Sequence, residues 1–167
     1  KNVLKLNLDT VERFSYYLTT VFLLSFVKKF SYSEKEQLLN PRKVYCADNG
    51  LRNSVAFTFL EDYGKLAENL VFNSLDRYEQ EIFYWKNSKQ EEVDFVIKEK
   101  QKIKEIIQVC WNIDKKETRE REIKSLISAC EEFKLKKGLI LTEDVEKEQK
   151  VGEVNITYKP IWKWLLE

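Results

Sequence analysis

Apolar residues recur along this chain first at helical spacing, then at strand spacing, and the alternation predicts most of its elements. Asp9 before Thr10 offers an N-cap, and Val11, Phe14, Tyr17 and Leu18 follow at helical intervals, predicting a helix that ends near Thr20. The apolar and aromatic run Val21 to Phe30 reads as a strand, the polar stretch Ser31 to Asn40 as a loop broken by Pro41, and Lys43 to Ala47 as a second strand. Asp48-Asn49-Gly50 closes it as a turn. A helix with two strands joined by a loop resembles the end of a winged-helix module. Beyond Gly64, Ala67, Leu70, Val71, Ser74, Leu75 and Tyr78 trace one face of a helix over Lys65 to Tyr78. Three strands follow, Ile82 to Trp85, Val93 to Lys98 and Ile103 to Trp111, with polar turns between them. A charged helix spans Lys116 to Phe133, its apolar stripe being Ile123, Leu126, Ile127 and Cys130. Strands at Leu139 to Thr142 and Val154 to Tyr158 come next, and Pro160 suits the first turn of a terminal helix. The order from Lys65 predicts a three-strand meander, a helical crossover and a mixed α/β sheet.

Composition narrows what such a sheet can do. The 167 residues suit one ordinary domain or one domain with a small appendage, and 43% hydrophobic residues allow a sizeable core. Lys and Arg number 29 against 28 Asp and Glu, so bulk charge does not draw the chain to nucleic acid or an acidic membrane. Histidine is absent, and the three cysteines, Cys46, Cys110 and Cys130, are scattered without CxxC spacing, which argues against structural zinc and a disulfide framework. A reducing cytoplasm is the simpler expectation. No apolar run reaches the roughly 18 residues of a membrane span, and no signal peptide is visible. The chain starts at Lys1 and contains no Met, so it reads as a fragment of a longer polypeptide or a processed form.

Carboxylates supply the candidate chemistry. Glu92 and Asp94 are two apart in a strand, so both point to one face, while Val93, Phe95 and Ile97 point to the other. Two carboxylates on one strand face can bind a hard cation such as Mg²⁺; the plainer reading is an exposed sheet face. Glu68 shares a helical stripe with Val71, Phe72 and Leu75, either at its edge or partly buried for a purpose. Gln108 and Cys110 share a face of the third strand, where Cys110 also reads as a small core residue.

Lys43-Val44-Tyr45, Asp48-Asn49-Gly50-Leu51, Gly64-Lys65-Leu66-Ala67-Glu68-Asn69, Tyr84-Trp85, Glu92-Val93-Asp94-Phe95-Val96, Gln108-Val109-Cys110 and Thr118-Arg119-Glu120-Arg121-Glu122 occur in that order. Together they resemble the domain of unknown function at the C-terminus of many prokaryotic AAA-type ATPases, over about Asp9 to Leu166. The resemblance implies a winged-helix-like remnant over 1–50 and a PD-(D/E)XK nuclease-like domain of restriction-endonuclease type over 51–167. It implies an ATPase core of the same parent chain as partner. No GxxxxGK[ST] loop is present, so this chain alone is expected neither to bind nor to hydrolyse ATP. Glu68 resembles the helix carboxylate of that superfamily and Asp94 its strand acid, while Gln108 and Cys110 fall where active members carry an acid and a lysine. The implied site is Glu68, Asp94 and Gln108, with Glu68, Glu92 and Asp94 as ligands of Mg²⁺. In active members the lysine orients or activates water and stabilises developing charge, which Cys110 cannot do. Lys104 lies on the Gln108 face but about 13 Å away along the strand, a poor substitute.

Three functions follow from this reading. The first is a nuclease-like module with a degraded site, binding or regulating an ATPase, with DNA as a further candidate partner. The second is a Mg²⁺-dependent DNA endonuclease. The third is nucleic-acid binding through the winged-helix-like start, where Arg13, Lys28, Lys29, Lys35, Arg42 and Lys43 interleave with Tyr16, Tyr17, Phe30, Tyr32 and Tyr45. The plainer account of those aromatics is a small core.

Overall fold

The computed structural model describes residues 6–55, 62–78 and 80–167. In chain order the elements are α1 (Leu8–Thr20), β1 (Leu24–Lys29), α2 (Glu34–Leu39), β2 (Lys43–Cys46), α3 (Asn49–Val55), α4 (Tyr63–Asp76), β3 (Glu81–Lys86), β4 (Glu92–Glu99), β5 (Lys102–Val109), α5 (Lys116–Phe133), β6 (Lys137–Thr142), β7 (Lys147–Val151), β8 (Val154–Pro160) and α6 (Ile161–Trp164). One mixed eight-stranded sheet, ordered β2-β1-β3-β4-β5-β6-β8-β7, carries helices on both faces. β3, β4 and β5 form the expected antiparallel meander, and α5 is the crossover to β6, which lies parallel to β5. Among the described residues no helix is long and apolar enough to cross a membrane.

Helix ends follow local chemistry rather than the nearest acid. Asn7, not Asp9, caps α1: its side chain accepts the Thr10 N–H at 2.8 Å. Ser31 to Asn40 is not all loop, because Ser33 accepts the Glu36 N–H and opens the short helix α2. Asp48-Asn49-Gly50 opens α3 rather than closing a turn, as the Asp48 carboxylate accepts the Leu51 N–H at 2.8 Å. The α4 cap is Asp62, which places Gly64 inside the first turn.

Two cores sandwich the sheet. On the α5 side, Leu126, Ala129 and Cys130 meet Val93, Val96, Ile106, Cys110 and Ile140. Gly138 is required there, since a Cβ would lie 2.9 Å from Leu126. On the α4 side, Ala67, Val71, Phe72 and Leu75 meet Tyr45, Phe95, Ile97, Ile107 and Leu141, and Tyr45 stacks on Phe72 at 4.3 Å between ring centroids. The sheet edges are protected differently. β7, Lys147–Val151, is an almost wholly exposed polar strand, which blunts edge pairing. On β2 the Asn69 side chain stands in for a neighbouring strand: its amide oxygen accepts the Cys46 N–H and its NH₂ donates to the Cys46 carbonyl, both at 2.8 Å.

The strands before position 50 belong to this sheet. β1 pairs antiparallel with β2 and parallel with β3, so the segment 24–46 continues the sheet carrying the carboxylates. β2 is the edge strand beside β1, and it packs against α4.

Candidate functional site

A bulge aims the strand carboxylates. Phe83 faces Val96 but Trp85 faces Val93, so β4 holds one residue more than β3 across that interval, at Asp94 and Phe95. Face alternation is interrupted there. Val93 belongs to the α5-side core and Phe95 and Ile97 to the α4-side core, so the expected grouping of all three on one face does not hold.

Glu68 from α4 and Glu92 and Asp94 from β4 converge, and they converge on Lys43 of β2. The Lys43 Nζ lies 3.0 Å from Glu68 Oε1, 3.0 Å from Glu92 Oε1 and 2.7 Å from Asp94 Oδ1. The Tyr45 hydroxyl donates to the same Glu68 oxygen at 2.6 Å, and the Val109 N–H donates to Asp94 Oδ2 at 2.9 Å. Lys86 adds a second ammonium, 3.1 Å from Glu92 Oε2. Strand alternation on β2 explains the placement: Lys43 and Tyr45 point inward, while Val44 between them is exposed.

The electrostatics follow from three carboxylates and two ammonium groups in a half-closed cleft. Burial works against the Lys43 charge, but Asp94, Glu68 and Glu92 together overcome it and hold its pKa above the ordinary lysine value. Burial pushes Asp94 up to about 6, Lys43 opposing the rise and Glu68 adding to it. Burial also raises Glu92, but Lys43 and Lys86 outweigh it and leave that group below its usual value. Burial, reinforced by Glu68, raises the Tyr45 phenol, so it remains a donor.

Gln108 does not join this cluster. Its Nε2 donates to Glu122 Oε2 of α5 at 2.6 Å, and its Oε1 accepts the Asp94 backbone N–H at 3.2 Å. Arg121 anchors the far side of Glu122, with Nη2 2.6 Å from Oε1. Both hydrogen-bonding ends of the Gln108 amide are therefore engaged. Cys110 is 6% exposed in the α5-side core, and burial pushes its thiol up to about 12. Lys104 is exposed and 3.6 Å from Glu99, away from the acids. A cleft of about 610 Å³ runs along the acids, with Gln108 and Glu122 on one wall and Lys65, Lys89, Arg121 and Lys124 also lining it.

The expected Mg²⁺ can be tested against this donor set. Mg²⁺ demands about 2.0–2.1 Å to six oxygens in near-octahedral order. Here the carboxylate oxygens stand at ammonium distances around a nitrogen, and Lys43 takes the point where they meet. Among the described residues no group of three or more Asp, Glu, Cys or His side chains is arranged to hold a metal ion. As arranged, Glu68, Glu92 and Asp94 do not fit Mg²⁺. Sequence reasoning found these acids and placed Lys43 and Tyr45 in a strand and in the first of the ordered motifs, but gave them no part in the site. The available signal was the alternation of β2, which sets both on one face.

No curated protein and no solved structure matches the chain significantly. A family model does match, over residues 63–164, which is more than half of the 167 residues and holds every site residue except Lys43 and Tyr45. By that match the chain belongs to the family described as Domain of unknown function (DUF4143).

Proposed function

We propose that this chain is a non-catalytic module of nuclease-like fold that binds to or regulates an AAA-type ATPase core. The ATPase link is supported by the ordered motifs from Lys43 to Glu122, which resemble the C-terminal domains of such ATPases. The nuclease-like part is supported by a helix carboxylate, Glu68, beside a bulged strand carrying Glu92 and Asp94.

The observation that carries the non-catalytic reading is Cys110. Cleavage of a phosphodiester needs a positive charge free to meet the phosphate, or a polarised water, beside the acids, and the Lys43 ammonium is already held by Glu68, Glu92 and Asp94. The position where active nucleases carry lysine holds a buried thiol whose pKa burial pushes up to about 12, neutral at pH 7. Gln108, where an acid is expected, is bound to Glu122 and to the Asp94 backbone instead.

The competing reading is a Mg²⁺-dependent DNA endonuclease, favoured by the convergence of Glu68, Glu92 and Asp94. One assay separates the two. Purified chain is incubated with supercoiled plasmid and Mg²⁺ or Mn²⁺, beside Asp94→Ala. The regulatory reading expects no nicking beyond that of the variant. Cleavage by the parent chain that disappears in Asp94→Ala would install the endonuclease reading.

A further inference from the structure

We infer that Lys43 is the resident cation of the acid cluster, and that its ammonium excludes divalent metal from the point where Glu68, Glu92 and Asp94 meet. An ammonium has three N–H donors and no acceptor. Around Lys43 stand three carboxylate oxygens from two different elements, at 2.7, 3.0 and 3.0 Å, with hydrogen bonds to Asp94 and Glu68. The Lys43 side chain is 18% exposed, so little water competes for those donors. Its nitrogen also lies 5.7 Å from the centre of the Tyr84 ring, a further contact that favours a cation.

The lysine is held from its backbone outward. Lys43 pairs with Val27 across β1, and the Tyr84 hydroxyl donates to the carbonyl of Pro41, two residues earlier, at 2.6 Å. Tyr45, one strand repeat further on, reaches the same Glu68 oxygen. A dication entering the cluster would have to displace an ammonium tethered to a paired strand, or sit beside it and suffer like-charge repulsion. Charge balance points the same way. The three carboxylates face two ammonium groups, Lys43 and Lys86, so the cluster is within one charge of neutrality without any metal.

Lys43 also lies twenty residues before the family match begins at residue 63, so the cation that balances these acids comes from outside the matched region. The inference goes beyond the regulatory reading, and the two can fail separately. Uptake of Mn²⁺ without plasmid cleavage would remove this one alone.

The test is Mn²⁺ binding and thermal unfolding of the full chain, Lys43→Met, and Lys43→Met combined with Asp94→Asn. The parent chain is expected to take up no Mn²⁺ at millimolar concentration and to keep its Tm. Lys43→Met, with three carboxylates left facing Lys86 alone, is expected to bind at least about tenfold more tightly and to gain Tm on adding Mn²⁺. The double variant is expected to lose that gain. Should Lys43→Met be unfolded without metal, Mn²⁺ is expected to restore the far-UV circular dichroism of the fold. Saturable Mn²⁺ uptake by the parent chain that Asp94→Asn abolishes overturns the inference. So does a Lys43→Met chain that neither binds Mn²⁺ nor is stabilised or refolded by it.

Discussion

The two ends of this chain contribute to the fold by opposite means. In the N-terminal part, α1, α2 and α3 bury no residue at all, and Leu8, Phe14, Phe22 and Leu39 are more than half exposed. In the part from residue 63 onward, α4 buries Ala67, Asn69, Val71, Phe72 and Leu75, and α5 buries Glu122, Ser125, Leu126, Ala129 and Cys130. Yet the N-terminal part supplies the residue at the electrostatic centre. β2 inserts Lys43 and Tyr45 against acids whose positions are fixed by α4 and β4. The lesson is that a segment whose helices bury nothing, and which gives the core only Val27, Phe30 and Tyr45 among the described residues, can still balance the charge of a site.

That contrast is broken most directly in the core itself. Phe95 is wholly buried, packing beside Phe72 and Tyr45, and it lies on the bulge that aims Asp94. Phe95→Ala removes a buried aromatic ring and is expected to cost about 3–5 kcal/mol. For a chain of this size that lowers Tm by on the order of 10 °C, measured by calorimetry. A loss under about 1 kcal/mol would mean that the α4-side core does not depend on this ring.

Lys43→Met sharpens the comparison from the other side. It keeps a side chain of similar length but leaves Glu68, Glu92 and Asp94 without their shared partner. Stranding partly buried carboxylates costs about 2–3 kcal/mol, less than for a fully buried pair because some water reaches the cluster. Denaturant unfolding at pH 7.5 without metal measures it. Stability equal to the parent's would show that the N-terminal part is dispensable to the site.

A pH titration isolates the excess charge. Asp94 has a folded-state pKa of about 6 against 3.8 as its ordinary value, so the folded chain binds its proton more tightly than the unfolded chain. The stability this contributes is complete below the unfolded value and is lost as pH rises through the folded one. Burial raises Glu105 as well, and that contribution has the same sign. Glu92 and Asp62 are lowered and act oppositely, below the ordinary carboxylate range. Between the ordinary carboxylate range and pH 7.5, Tm should therefore rise on acidification. Asp94→Asn should flatten that slope, leaving the part due to Glu105. Equal slopes in the two chains would remove Asp94 as its source.

Much of the fold was legible because its elements are long or periodic. The charged helix over Lys116 to Phe133 coincides with α5, whose apolar stripe repeats through Ile123, Leu126, Ile127 and Cys130. The meander was legible in its apolar strands and polar turns. β7 was not, because Lys147–Val151 is polar throughout and has no buried face to impose alternation. α2 has only six residues, although Ser33 and Glu36 stood in the sequence at capping distance. The acids were legible because Glu92 and Asp94 are strand neighbours and Glu68 lies on an apolar helix stripe. Lys43 was not, since 51 residues separate it from Asp94 and no local period spans that distance.

The smallest expected effect lies on α1. Val11, Phe14, Tyr17 and Leu18 repeat at helical spacing, which predicted the helix, yet Leu8 is 70% exposed, Val11 45% and Phe14 55%. An exposed side chain has little burial to lose, so Phe14→Ser should change stability by no more than about 0.5 kcal/mol. Paired with Phe95→Ala under the same denaturant, it measures the contrast between the two parts using one residue type. The order matters more than either value: Phe95 should cost several times more than Phe14. If Phe14→Ser lowered stability by more than about 1.5 kcal/mol, α1 would have to bury its apolar stripe in solution, and it would join β1 and β2 as a contributor to the core.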